Sequence, residues 1–108
     1  MTTLEKITQE NFSTRVEQAQ SPVLVEFGAE WCAPCKRLEP ILVELGGRWM
    51  DRVQMVSMDI DECVDLTLRF QIMSVPTIIL FSGGQPVQRV LGLQSRERII
   101  EKIEPFLE

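Results

Sequence analysis

The chain has 108 residues, 44% of them hydrophobic and 25% charged, with a net charge of −5 at neutral pH and no histidine. That length fits one domain with a single core, the composition excludes disorder, and the missing histidine removes Ser-His-Asp and Cys-His catalysis along with every zinc site that needs imidazole. The acidic balance, with no long Lys/Arg cluster, argues against a nucleic-acid or anionic-membrane surface.

Thr8 is placed to cap a first helix whose inward stripe is Phe12, Val16 and Ala19, ending before Ser21-Pro22. Val23-Leu24-Val25-Glu26-Phe27 is apolar except for Glu26, the pattern of a central strand covered on both faces. From Cys32 onward, Cys35, Leu38, Leu42, Leu45 and Trp49 recur at threes and fours, which predicts a long amphipathic helix. Pro34 suits its first turn, and Pro40 predicts a kink. Val53 to Met58 is the next strand, followed by a short helix opening near Asp61 with Cys63, Leu66, Thr67 and Phe70 on one face. Thr77 to Phe81 and Val87 to Leu91 form an antiparallel hairpin across the turn-rich link Ser82 to Pro86. Ser95 begins the last helix, with Ile99, Ile103 and Phe106 on one side and Pro105 distorting its final turn. Strands alternating with helices and closing on a hairpin predict an α/β fold, a mixed sheet with helices on both faces, and residues 1–108 are expected to make one domain.

The residues that carry chemistry are Trp31-Cys32-Ala33-Pro34-Cys35-Lys36. Two thiols in a C-x-x-C pair at a strand-to-helix junction are a redox signature, because the helix start and nearby cations, here Lys36 and Arg37, favour the thiolate that attacks disulfides. Cys32 is the expected nucleophile and Cys35, one turn on, the resolving thiol. Glu26, alone in an apolar strand, is expected to be pushed toward neutrality by desolvation, where it can exchange protons; the alternative is a carboxyl reaching solvent at a strand end. A closed zinc site would need Cys32, Cys35, Cys63 and a carboxylate together, and no metal is expected.

The match of these residues to a known pattern runs nearly end to end: Val23 to Lys36, Val75-Pro76-Thr77, and the later positions Phe81, Gly84 and Gly92. The chain resembles the thioredoxin family. The resemblance implies the thioredoxin fold, a central sheet of about five strands with about four helices in the order βαβαβαββα. It implies a cis peptide before Pro76, whose loop, with Trp31, Ala33, Pro34, Val75 and Gly92, would form the surface that binds substrate. It also implies protein-disulfide reductase activity on disulfide-containing proteins, recycling by a separate thioredoxin reductase linked to NADPH or ferredoxin, no cofactor of its own, and a monomer. The N-terminus, Met1-Thr2-Thr3-Leu4-Glu5-Lys6, lacks the basic-then-apolar pattern of a secretory signal, so a reducing cytoplasm is the expected location and no membrane association is expected. Two other readings stay open at this point, a non-catalytic binding subunit of the same fold and a disulfide oxidase or isomerase.

Three positions depart from the family pattern. Gly28 stands where an aromatic residue is common, Ser57 where a lysine often accompanies the buried carboxylate, and Ala33 where the motif usually has glycine. Glu26 itself replaces the usual aspartate, with one more methylene, and the resemblance implies that it takes the Cys35 proton, directly or through water. Cys63 is expected to be a buried packing thiol, the alternative being a regulatory or dimer-forming one, and Asp59, Asp61 and Glu62 are expected to be a solvated loop and helix start.

Overall fold

The computed structural model describes residues 4–107. Among them are five strands, β1 (Glu5–Lys6), β2 (Val23–Gly28), β3 (Gln54–Asp59), β4 (Thr77–Ser82) and β5 (Gln85–Leu91), and three α-helices, α1 (Ala33–Trp49), α2 (Val64–Arg69) and α3 (Arg96–Ile103). The strands form one sheet in the order β1-β3-β2-β4-β5, with β1, β3 and β2 mutually parallel and β4 and β5 antiparallel. This is the mixed sheet with flanking helices that the sequence predicts. No helix among the described residues is long and apolar enough to cross a membrane.

Strand alternation divides the core into two layers. Val23, Val25 and Phe27 of β2, with Ile79 and Phe81 of β4, face a layer holding Phe12, Val16, Leu66 and Phe70. Four phenylalanines interlock there, Phe12, Phe27, Phe70 and Phe81, with ring centroids 5.2 to 6.4 Å apart. Leu24, Ile78 and Leu80 face the opposite layer, filled by Leu38, Leu42, Leu45 and Trp49 of α1 and by Ile99 and Ile103 of α3. Glu26 belongs by register to this second layer, under α1.

Several local elements differ from the sequence reading. The first predicted helix is one π-helical turn, Ser13–Glu17, closed by the Gln18 N–H on the Ser13 carbonyl at 2.9 Å. Thr8 does not cap it. Instead Asn11 Oδ1 accepts the Thr8 N–H at 2.8 Å, so the polar side chain competes locally with helix formation. Phe12 and Val16 are nonetheless buried as expected, and Ala19 packs against their layer. Strand β1 is not marked by any hydrophobic pattern, being two exposed residues on the sheet edge.

The hairpin link is shorter than predicted. Gly83 and Gly84 alone make the turn, with φ of +60° and +80°, the left-handed backbone that two-residue hairpins require. Strand β5 therefore begins at Gln85 and includes Pro86, tolerated because β5 is an edge strand and the register shifts opposite Leu80/Phe81. Helix α1 stays continuous through Pro40 and Gly46-Gly47. Ser95 caps α3, its side chain accepting the Arg98 N–H, and the chain passes into a 3₁₀ turn at Glu104–Leu107, where Pro105 cannot continue the helical bonding.

Candidate active site

Three chain segments meet at one end of the sheet because of strand register. Phe27, near the end of β2, pairs with Thr77, the first residue of β4, and Thr77 pairs with Leu91, the last of β5. The Trp31–Lys36 motif after β2, the Val75-Pro76 loop before β4 and Gly92 after β5 consequently lie together. The Val75–Pro76 peptide is cis. The Gly92 N–H donates to the Pro76 carbonyl at 2.8 Å, and Gly92 holds a φ of +79° that favours glycine. Thr77 Oγ1 donates to the Ser74 carbonyl at 2.7 Å, fixing the loop from its other side.

Cys32 is the N-cap of α1 and is disulfide-bonded to Cys35, their Cα atoms 5.3 Å apart. The Cys35 N–H points at Cys32 Sγ at 3.2 Å, so a free backbone donor of the helix start addresses the sulfur. With the positive end of the helix dipole this favours negative charge there. Both residues are buried, Cys32 at 3% and Cys35 at 6% exposure, whereas Ala33 is exposed and Pro34 half-buried in the first turn. Trp31 is 67% exposed, and its indole Nε1 donates to Asp61 Oδ2 at 2.9 Å.

Behind the disulfide, Glu26 is 4% exposed and its Oε2 has no hydrogen-bond partner. Burial, with the nearby negative charge of Glu39 adding to it, pushes its pKa up to about 7. The carboxyl is thus buried beneath α1 rather than exposed at a strand end. Glu26 pairs in register with Ser57, and Ser57 with Lys6 of β1, which places Glu, Ser and Lys in one row across three strands. Lys6 is engaged with Glu62 at 3.3 Å. A cleft of about 280 Å³ opens along this row and reaches both Glu26 and Cys35, with Gly28, Lys36 and Glu39 among its walls.

Cys63 is a free thiol at 1% exposure, and burial raises its pKa. It packs in the core layer that also holds Leu66 and Phe70. Asp61 is not merely a solvated loop residue, since it holds the Trp31 indole, while Asp59 Oδ1 in turn accepts the Asp61 N–H at 2.8 Å. Arg89 of β5 is a further residue that no sequence pattern singles out. Its Nη2 donates to the Phe70 carbonyl at 2.7 Å, anchoring the end of α2 from which the Val75-Pro76 loop departs. A charged residue within a strand was its only sequence signal. Among the described residues no three metal-ligating side chains come together.

Two cysteines bonded across one helical turn open and re-form by exchange with other thiols and disulfides, and this makes the molecule a dithiol–disulfide oxidoreductase. Sequence comparison then gives the family. The Thioredoxin family profile matches residues 3–105. A thioredoxin of Alicyclobacillus acidocaldarius is 38% identical over 102 residues, covering 94% of this chain and 96% of the relative. A thioredoxin of Staphylococcus saprophyticus matches with the same identity and coverage. A bifunctional thioredoxin reductase/thioredoxin of Mycobacterium leprae is 35% identical over 98 residues, 91% of this chain and 21% of that protein. The chain belongs to the thioredoxin family, and it is a protein-disulfide reductase acting through the Cys32–Cys35 pair.

Proposed function

We propose that Cys32 is the attacking thiol, Cys35 the resolving thiol and Glu26 the proton acceptor. The observation that carries the assignment is the Cys32–Cys35 disulfide at the start of α1 with an unpartnered buried carboxyl behind it. In the reduced protein the Cys32 thiolate attacks one sulfur of a substrate disulfide, forming a mixed disulfide and expelling the other substrate sulfur as a thiolate. Glu26 then takes the Cys35 proton, directly or through one water. The Cys35 thiolate attacks Cys32 Sγ, the Cys32–Cys35 bond forms, and the second substrate sulfur leaves as a thiolate. Two electrons pass to the substrate, and its thiolates take up two protons. A carboxyl that titrates at about 7 is matched to this task, being able to accept and return a proton at neutral pH.

Substrate docks, in this reading, on exposed Trp31 and Ala33, on Pro34, and on the Val75-Pro76 loop with Gly92. Backbone pairing to an extended segment gives affinity with little side-chain selectivity. A separate thioredoxin reductase, linked to NADPH or ferredoxin, returns the disulfide to the dithiol; the fusion of the two activities in the M. leprae relative supports that partnership. The protein works as a single-domain monomer in the cytoplasm. Insulin reduction with dithiothreitol as donor tests the assignment. Wild type should far outpace dithiothreitol alone, and Cys32→Ser should fall to that background. Cys35→Ser should instead accumulate the mixed disulfide on Cys32, detectable by mass spectrometry. A wild type no faster than Cys32→Ser would make the chain a binding subunit.

A further inference from the structure

Glycine is an expensive choice in a buried central strand, since it packs nothing and loosens the backbone. Gly28 ends β2 in a fully buried run. Its backbone is not the reason for it: Gly83, Gly84 and Gly92 have left-handed φ values, and Gly28 does not. What sets it apart is the space beside it. A Cβ at position 28 would lie 2.6 Å from Glu26 Oε2, 3.2 Å from Cys35 Sγ and 3.4 Å from Cys35 Cβ. Residues 26 and 28 project from the same face of β2, and the Glu26 side chain is long enough to lie along the strand into the place a neighbour's side chain would fill. The carboxylate and the sulfur are thus gathered around one empty point. Their separation cannot exceed the sum of those first two distances, a span that one water bridges.

We propose that Gly28 is the positioning residue of this active site: its missing side chain is the seat in which the Glu26 carboxylate is held against Cys35 beside the cleft. The inference rests on the proton-transfer reading of Glu26. Residue 28 touches no substrate and acts only through Glu26. The charged groups around the seat are Lys36 and Glu39 from α1, Lys6 from β1, Asp59 from β3 and Glu30 from the loop after β2, all lining the same cleft. None of them comes as close to the point beside Gly28 as the Glu26 carboxylate and Cys35 do.

The test is a set of variants, Gly28→Ala, Glu26→Gln, Glu26→Asp and the doubles, each measured by single-turnover reduction of a disulfide peptide across pH. Gly28→Ala displaces the carboxylate, so resolution of the mixed disulfide should slow by about tenfold to a hundredfold and its pH midpoint should move. In the Glu26→Gln background the same change should cost nothing further, and Glu26→Asp, one methylene shorter, should restore Gly28→Ala toward the rate of Glu26→Asp alone. An equal loss from Gly28→Ala in the wild-type and Glu26→Gln backgrounds would overturn the proposal, because the added methyl would then act through Cys35 or the backbone. Should Glu26→Gln alone leave the rate unchanged, the proton-transfer reading fails, and the seat is judged by the titration midpoint of the Glu26 carboxyl. Gly28→Ala must shift that midpoint; an unmoved midpoint overturns the seat as well. Should Gly28→Ala not fold, the double variant Gly28→Ala with Glu26→Asp must fold, and failure of both overturns it too.

Discussion

Helix α1 has a glutamate beneath each end, and the two have opposite surroundings. Glu26, under the redox end, is buried with an unpartnered oxygen and has its pKa raised to about 7. Glu104, under the far end, accepts hydrogen bonds from Arg48 Nε at 2.9 Å and from Trp49 Nε1 at 2.7 Å, with Arg52 also nearby. The Arg48 bond first, then the Trp49 bond, bring its pKa down to about 2. The difference teaches how this small fold divides its work. A satisfied carboxylate ties the C-terminal segment to α1, while an unsatisfied one is buried beside the disulfide, and the helix between them separates the two.

The sharpest way to break that separation is at the stabilising end. Trp49 is fully buried and also donates to Glu104. Trp49→Ala should cost about 3–5 kcal/mol, through the cavity and the lost donor together, measured by denaturant unfolding. The folded fraction should still resolve mixed disulfides at the wild-type rate. A folded Trp49→Ala protein with slowed exchange would mean that the two ends of α1 are coupled.

The same contrast explains what could be read in the sequence. Glu26 was legible because a carboxyl inside an apolar strand breaks a pattern, and the C-x-x-C pair because its spacing is local. Helix α1 and the two paired strands of the hairpin were legible for the same reason, though not the hairpin's two-residue turn. Glu104, Asp61 and Arg89 were not, since their partners lie 56, 30 and 19 residues away and only the fold brings them near. The π turn at Ser13–Glu17 shows the limit of periodicity itself, because Phe12 and Val16 keep a helical spacing in a segment too short and too polar at Asn11 to wind an α-helix. Gly28 was visible only as an absence, whose meaning depends on where the Glu26 carboxylate lies.

At the redox end the comparison becomes a pH dependence. Burial favours neutral Glu26, so between its ordinary 4.5 and about 7 the folded protein keeps a proton that the unfolded chain has released. The stability linked to this group is complete below pH 4.5 and is lost as the pH rises to about 7, a total of roughly 3 kcal/mol. Chemical denaturation of the oxidised protein should show the decline, and Glu26→Gln should remove it, leaving the variant the more stable protein at pH 8. A wild-type curve flat through this range would mean that the carboxyl is ionised without penalty, and the site would lose its poised proton acceptor.

At the other end the sign reverses and the effect is smaller, because Glu104 is only partly covered and its ion pairs are open to solvent. Its lowered pKa means that the folded protein holds less proton than the unfolded chain between 4.5 and about 2. Stability from this group is therefore complete above pH 4.5 and is lost as the pH falls toward about 2. Glu104→Gln should lower the melting temperature at neutral pH, and the difference from wild type should close on the acid side and shrink in high salt as Arg48 and Arg52 are screened. Because the glutamine oxygen can still accept from Trp49 Nε1, whatever difference survives high salt measures the strength that the negative charge adds to that one bond. A deficit unchanged by both acid and salt would show that Glu104 holds the C-terminal turn by packing rather than by charge, and the two ends of α1 would then differ in burial alone.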